Sequence, residues 1–150
     1  MLSAYPDRVE ERYPIGTTGS VVVSVLRHER HAAGYGMWSA AIGLESGDAT
    51  VHVPGHYPGV LATRVRAADA AFAPGARIGR DEYLDLTALT RDREQTLALS
   101  STARSPVRVT IEVPRAELGE LASLLEHAQR LIEELKQGLG LVPDSLPDAL

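Results

Sequence analysis

The sequence predicts an α+β fold: an antiparallel, strongly twisted β-sheet crossed by a long C-terminal α-helix that also mediates a dimer. Three observations predict it. Residues 20–53 and 81–113 contain short runs of β-branched or alternating apolar residues, the period-2 signature of half-buried strands. Residues 114–137 carry apolar side chains at helical spacing. The strands come in runs and do not alternate with helices, which favours antiparallel pairing over a parallel βαβ sheet.

Residues 1–19 place Pro6, Pro14, Gly16 and Gly19 among charges and read as a flexible N-terminal arm. Ser20 to His28, with Val21, Val22, Val23 and Val25, is the first strand. Tyr35 to Glu45 alternates Trp38, Ala40, Ile42 and Leu44 with smaller or polar neighbours, and Gly47-Asp48 turns it into a strand from Ala49 to Val53. Two prolines and two glycines make residues 54–59 a loop. Val60 to Arg66 reads as a further short strand, with Arg64 and Arg66 on one face. The Ala-rich run from Arg66 to Phe72 reads as a turn or two of helix, stopped by Pro74-Gly75. Asp81 to Leu89, Gln95 to Ser100 and Ser105 to Val113 are the remaining strands, the first two joined by a polar turn at residues 90–94.

Pro114 suits the first helical position, where its missing N–H is no loss. Leu118, Leu121, Leu125, Ala128, Ile132, Leu135 and Leu139 then follow a 3-4-3-4 spacing, widened by Leu124 and Leu131. Such breadth predicts packing on the sheet together with a second surface, so Leu118, Leu121, Leu125, Ala128, Ile132 and Leu135 are the expected dimer contacts. From Pro114 to Gln137 the helix would span roughly 36 Å, with Gly138 or Gly140 as its cap. The domain is expected to cover residues 20–140 and a flexible acidic tail residues 141–150. No strict internal repeat stands out.

At 150 residues the chain can bury a core, and 44% hydrophobic with 23% charged residues excludes wholesale disorder. The absence of cysteine removes disulfides and thiolate metal sites. No signal segment and no apolar run of ~18 residues is present, so a soluble cytoplasmic protein that does not enter a membrane is expected. Residues 1–115 are electrically neutral. The net charge of -5 comes from the last 35 residues, an acidic end suited to recruiting a protein partner.

His28 with His31 and His52 with His56 are the candidate metal ligands. Positions 28 and 31 of one strand face opposite ways, however, and lack the four-residue spacing of a helical zinc motif, while His52 and His56, four apart, lie around a Pro-Gly loop, so no metal or other cofactor is expected. Ser100, Ser101, Thr102 and Ser105 lack a nucleophile elbow or fixed base, and Gly34-Tyr35-Gly36 lacks the pattern of a phosphate loop. Catalysis has no positive support. Arg64, Arg66, Arg80, Arg91, Arg93 and Arg108 lie on or beside strands, with Tyr83 and Trp38 as stacking faces, the ingredients of a platform for unstacked bases.

Residues 80–137 resemble the strand-strand-strand-helix unit of PUR-repeat and positive-cofactor-type single-stranded DNA-binding proteins, architectural relatives of the Whirly proteins. The resemblance is carried by Tyr83-Leu84-Asp85-Leu86-Thr87, the charged turn Thr90-Arg91-Asp92-Arg93, the strand from Gln95 to Ser100, the strand from Val107 to Val113, and Leu118-x-x-Leu121-x-x-Leu124-Leu125. It implies a sheet that binds single strands, a helix that dimerises, and nucleic-acid contacts at Tyr83, Arg91, Arg93 and Arg108. The expected function is non-enzymatic binding of single-stranded nucleic acid by a homodimer. The alternative is a dimeric protein-interaction module without nucleic acid, with a metal-dependent enzyme built on His28, His31, His52 and His56 a distant third.

Overall fold

A computed structural model describes residues 9–32, 35–102 and 108–138, with backbone alone at 9–10, 29–32, 35–38 and 138. Four strands, β1 (Val9–Thr17), β2 (Val22–Ala32), β3 (Tyr35–Ser46) and β4 (Ala49–Pro54), form an antiparallel meander that leads into helix α1 (Pro58–Ala70). The pattern then recurs. Strands β5 (Arg77–Arg80), β6 (Leu84–Arg91), β7 (Glu94–Ser101) and β8 (Thr110–Pro114) form a second antiparallel meander, which leads through a 3₁₀ turn, Arg115–Glu117, into helix α2 (Leu118–Gly138). The α+β class holds, with two four-stranded sheets in place of one.

The two halves are an internal repeat. Val53-Pro54, Gly59, Leu61-Ala62 and Ala68 recur sixty residues later as Val113-Pro114, Gly119, Leu121-Ala122 and Ala128. Ile15-Gly16 recurs as Ile78-Gly79, and at each pair the strand register slips, between Pro14 and Gly16 and between Arg77 and Gly79. A bulge adds a residue to one strand and sharpens its twist, so both sheets bend at the same place. The inner faces match row by row: Val23, Leu44 and Val51 correspond to Leu86, Leu99 and Ile111. All six are buried and join the helices in one core cluster.

The helices are exchanged between the halves. Helix α2 packs against β1 and β2, and Leu124 lies so close to Gly16 that a Cβ there would stand 2.8 Å from its Cδ2. Arg64, the α1 counterpart of Leu124, reaches Gly79, the counterpart of Gly16, and donates to its carbonyl at 2.9 Å. The helices also pack on each other, with Arg66 of α1 paired to Glu126 of α2 at 2.8 Å.

Several expectations are corrected. Residues 9–17 form a strand, not an arm; Pro14 is tolerated because β1 lies at the sheet edge, where no second neighbour asks for its N–H. Residues 60–66 are helical. Leu61, Ala62, Val65 and Ala68 are buried at the i, i+1, i+4, i+7 spacing of one helix face, and Pro58 starts the helix. Arg64 and Arg66 therefore sit on a helix. Pro114 ends β8, and α2 begins four residues later.

The dimer stripe is corrected too. Leu118, Leu121, Leu125, Ala128 and Ile132 are 0–1% exposed within a single chain, and Leu135 is half-buried. The exchange of helices explains this, since α2 meets α1 and the opposite sheet at once, while Leu124 and Leu131 on the flank are partly buried against the same core. The tail at 141–150, Leu139, the 103–107 segment and the side chains of His31 and Trp38 lie outside the described residues.

Candidate nucleic-acid interface

Strand alternation gives each sheet an inner face in the core and an outer face of the other parity. On the second sheet the outer rows are Thr87, Ala98 and Glu112, then Asp85, Ser100 and Thr110, with Arg77 beside Thr87 and Arg91 at the end of β6. The floor is small and hydroxylic, and Ser100 and Thr110 share a hydrogen bond of 2.7 Å. Three arginines frame it. Arg77 donates from Nε to Asp85 Oδ1 (3.2 Å) and from Nη2 to Oδ2 (3.1 Å), and Arg108 adds a bond from Nη2 to Oδ2 (3.3 Å). Arg91 donates from Nε to Glu112 Oε1 at 2.7 Å, and Thr96 Oγ1 donates to the same oxygen at 3.3 Å. The arginine side chains stay 56–62% exposed, whereas that of Asp85 is only 12% exposed.

Two of the six expected nucleic-acid contacts, Arg91 and Arg108, meet on this face; the other four do not join them. Arg64 is taken up by Tyr57 Oη (2.6 Å), Asp81 Oδ2 (2.9 Å) and Gly79 O. Arg66 lies against Glu126, whose carboxyl it holds below the usual range. Arg93 sits at the β6–β7 turn with φ +69° and lines a cleft with Asp69, Gln95 and Arg115. Tyr83 packs edge-on against Tyr57, ring centres 4.9 Å apart, and its hydroxyl is 3.1 Å from His56 Nε2. Arg77 is not among the expected contacts, because the stretch from Gly75 to Arg80 carries no strand alternation that would place it on a face. The signal was the recurrence of Ile-Gly, which makes Arg77-Ile78-Gly79-Arg80 the first strand of a second repeat.

What holds Arg64 and Tyr83 is a junction between the halves, and it occurs twice. Asp81 Oδ1 accepts from the N–H groups of Tyr83 (2.8 Å) and Leu84 (2.9 Å), closing the β5–β6 turn, while Tyr57 at the start of α1 donates its hydroxyl to Oδ2. At the equivalent β1–β2 turn, Thr18 Oγ1 accepts from the N–H groups of Ser20 (3.2 Å) and Val21 (3.1 Å) and donates to Glu117, at the start of α2, at 2.5 Å. Glu117 also accepts from Gly19 N, Ser20 N and Ser20 Oγ. Burial acts to raise the pKa of Asp81, but the Tyr57 hydroxyl, the two N–H groups and Arg64 outweigh it and hold the carboxyl below its usual value. Glu117 is held low in the same way by Thr18 and Ser20. Burial, then the bond to Asp81, pushes the Tyr57 phenol up to about 12.

His28 and His52 share the outer face of the first sheet, and His56 lies in the loop before α1. Among the described residues no group of three or more such side chains is placed to hold a metal ion, and no helix is long and apolar enough to cross a membrane. No family model matches the chain, and no curated protein or solved structure is significantly similar to it.

Proposed function

We propose that this chain binds single-stranded nucleic acid, without catalysing a reaction, on the outer face of its second sheet. The observation that carries the reading is the frame of three half-exposed arginines, Arg77, Arg91 and Arg108, around an open hydroxylic floor. Arginine presents a planar fork of donors that suits phosphate oxygens. The duplicated strands-and-helix unit is in keeping with the resemblance to PUR-repeat and positive-cofactor-type proteins. Self-association through the α2 stripe is not part of the proposal, because its side chains lie in the core.

Anisotropy of a labelled single-stranded oligonucleotide, titrated at low and moderate salt, tests the reading. Saturable binding is expected, with log affinity falling linearly with log salt by about 0.7 per neutralised phosphate. Arg91→Ala and Arg108→Ala should each weaken it and flatten that slope. A signal indifferent to salt and to both substitutions overturns the reading. A second reading, a protein-interaction surface, is favoured by one observation: each framing arginine already faces a carboxylate, so the field of the face is nearly neutral. It predicts no oligonucleotide binding even at low salt.

A further inference from the structure

Asp85 is an odd residue to find where it is. It lies on an outer sheet face, yet is 9% exposed, enclosed by Arg77 and Arg108. The internal repeat supplies a control for whether the fold needs it there. Register and sequence match Arg77, Asp85, Arg91 and Glu112 with Pro14, Val22, His28 and His52 of the first sheet. That sheet has the same strand order and the same bulge, without any of the four charged residues. The frame therefore forms without them, and Val22 at the position of Asp85 is 38% exposed; the arginine of that face, Arg12, pairs instead with Glu45, the cross-strand neighbour of Val22.

A carboxylate held bidentately by one arginine and singly by another occupies the place a phosphate would take, since the fork of donors suits both anions. We infer that Asp85, and in the second pair Glu112, are built-in competitors for the phosphodiester backbone. They keep the arginines extended over the floor and set the affinity of the face by occupying its anion positions until a strand displaces them. The inference rests on the nucleic-acid reading above and deepens it. Nucleic acid is recognised here through phosphates, because the described side chains of this face include no aromatic ring for bases to stack on. A face of this kind binds without sequence preference.

The test compares Asp85→Asn, Glu112→Gln and Arg77→Ala with the unmodified protein, using a labelled oligodeoxythymidylate at several salt concentrations. Each amide keeps the shape and removes one negative charge. Each should tighten binding roughly fivefold, the weight of one unit charge ~4 Å away in water-like surroundings, and steepen the salt slope by about 0.7, one further phosphate. Arg77→Ala should weaken binding. An unmodified protein that is silent beside amide variants that bind also supports the inference, since release of the competitor is then visible directly. If the unmodified protein binds but both amides leave affinity unchanged or reduce it, the carboxylates only support the arginines; the inference falls and the nucleic-acid reading stands. If none of these proteins binds at low salt, both fall. Thermal melts check that each variant is folded, and the two carboxylates belong to separate ion pairs, so loss of one variant leaves the other decisive.

Discussion

In the first half of the chain a helix-start residue donates, and in the second half its counterpart accepts. Tyr57 donates a hydrogen bond from its hydroxyl to Asp81, whereas Glu117 accepts one from the hydroxyl of Thr18. The turns on the other side are exchanged to match, carboxylate in one and hydroxyl in the other, and both still cap two backbone N–H groups. What the frame requires at this spot is one short polar bond between the start of each helix and the β-turn of the opposite repeat. Which partner carries the proton is left open. The outer faces diverge in the same spirit: where the second sheet has Arg77, Asp85, Arg91 and Glu112 the first has Pro14, Val22 and histidines, and its own ion pair, Arg12 with Glu45, stands at other positions of the face. Shared positions are structural demands; divergent ones are where function has room.

The largest effects should come from positions the halves share. Leu61 and Leu121 are equivalent, and each is fully buried. Leu61→Ala and Leu121→Ala should each destabilise by about 2–5 kcal/mol. Because each helix is lodged in the opposite repeat, neither half keeps its core without the other, and both variants should unfold in one transition. Urea unfolding followed by far-UV circular dichroism and by tyrosine fluorescence checks this. Two separated transitions would break the comparison, since they would mean halves that fold independently.

Much of this was legible in the sequence, and the failures have physical causes. The β-branched run at 21–25 marked β2 and the alternation ending at Val113 marked β8, though that strand begins only at Thr110; one face of each is buried. The run from Val60 to Arg66 misled because its alternation of apolar and polar residues competes with the helical spacing of Leu61, Ala62, Val65 and Ala68. The repeat was hidden because identity survives at only a few positions, such as Val53-Pro54 and Gly16, and the strand faces diverged. Of the site, Arg91 and Arg108 were legible as arginines on or beside strands. The capture of Arg64 by Asp81 was not, because it joins helix α1 to a turn of the other half that only the exchange of helices brings near it.

Next in size are the two junctions. Tyr57 is 3% exposed, so Tyr57→Phe leaves Arg64 and Asp81 short of a partner that water replaces poorly, at a cost of about 1–3 kcal/mol. Glu117→Ala strips acceptors from Thr18, Gly19 and Ser20, but Gly19 is exposed and Ser20 half-buried, so water makes good part of the loss. Its effect should fall at the lower end of the same range. Chemical denaturation midpoints of the two variants give the order. Equal effects, or a larger one for Glu117→Ala, would mean that the first junction is as wet as the second.

The smallest effect, and the sharpest separation of the halves, lies in the pH profile. Asp81 and Glu117 both have folded pKa values below their ordinary ones, so each contributes stability that is present above the unfolded pKa, about 4, and is lost as the pH falls through the folded value. Both junctions therefore weaken in acid. Only the first also weakens in alkali. The Tyr57 phenol is raised to about 12, so its contribution is complete below the unfolded value of 10.0 and disappears as the pH climbs through about 12. Melting temperatures measured from pH 2 to 6 should fall less steeply with acid in Glu117→Gln than in the unmodified protein. Between pH 9 and 12 the same variant should track the unmodified protein, while Tyr57→Phe flattens the alkaline decline. Tyr83 is raised as well, so some alkaline decline should survive in Tyr57→Phe. An alkaline limb untouched by Tyr57→Phe would mean that the phenol is not held neutral by its place between the halves.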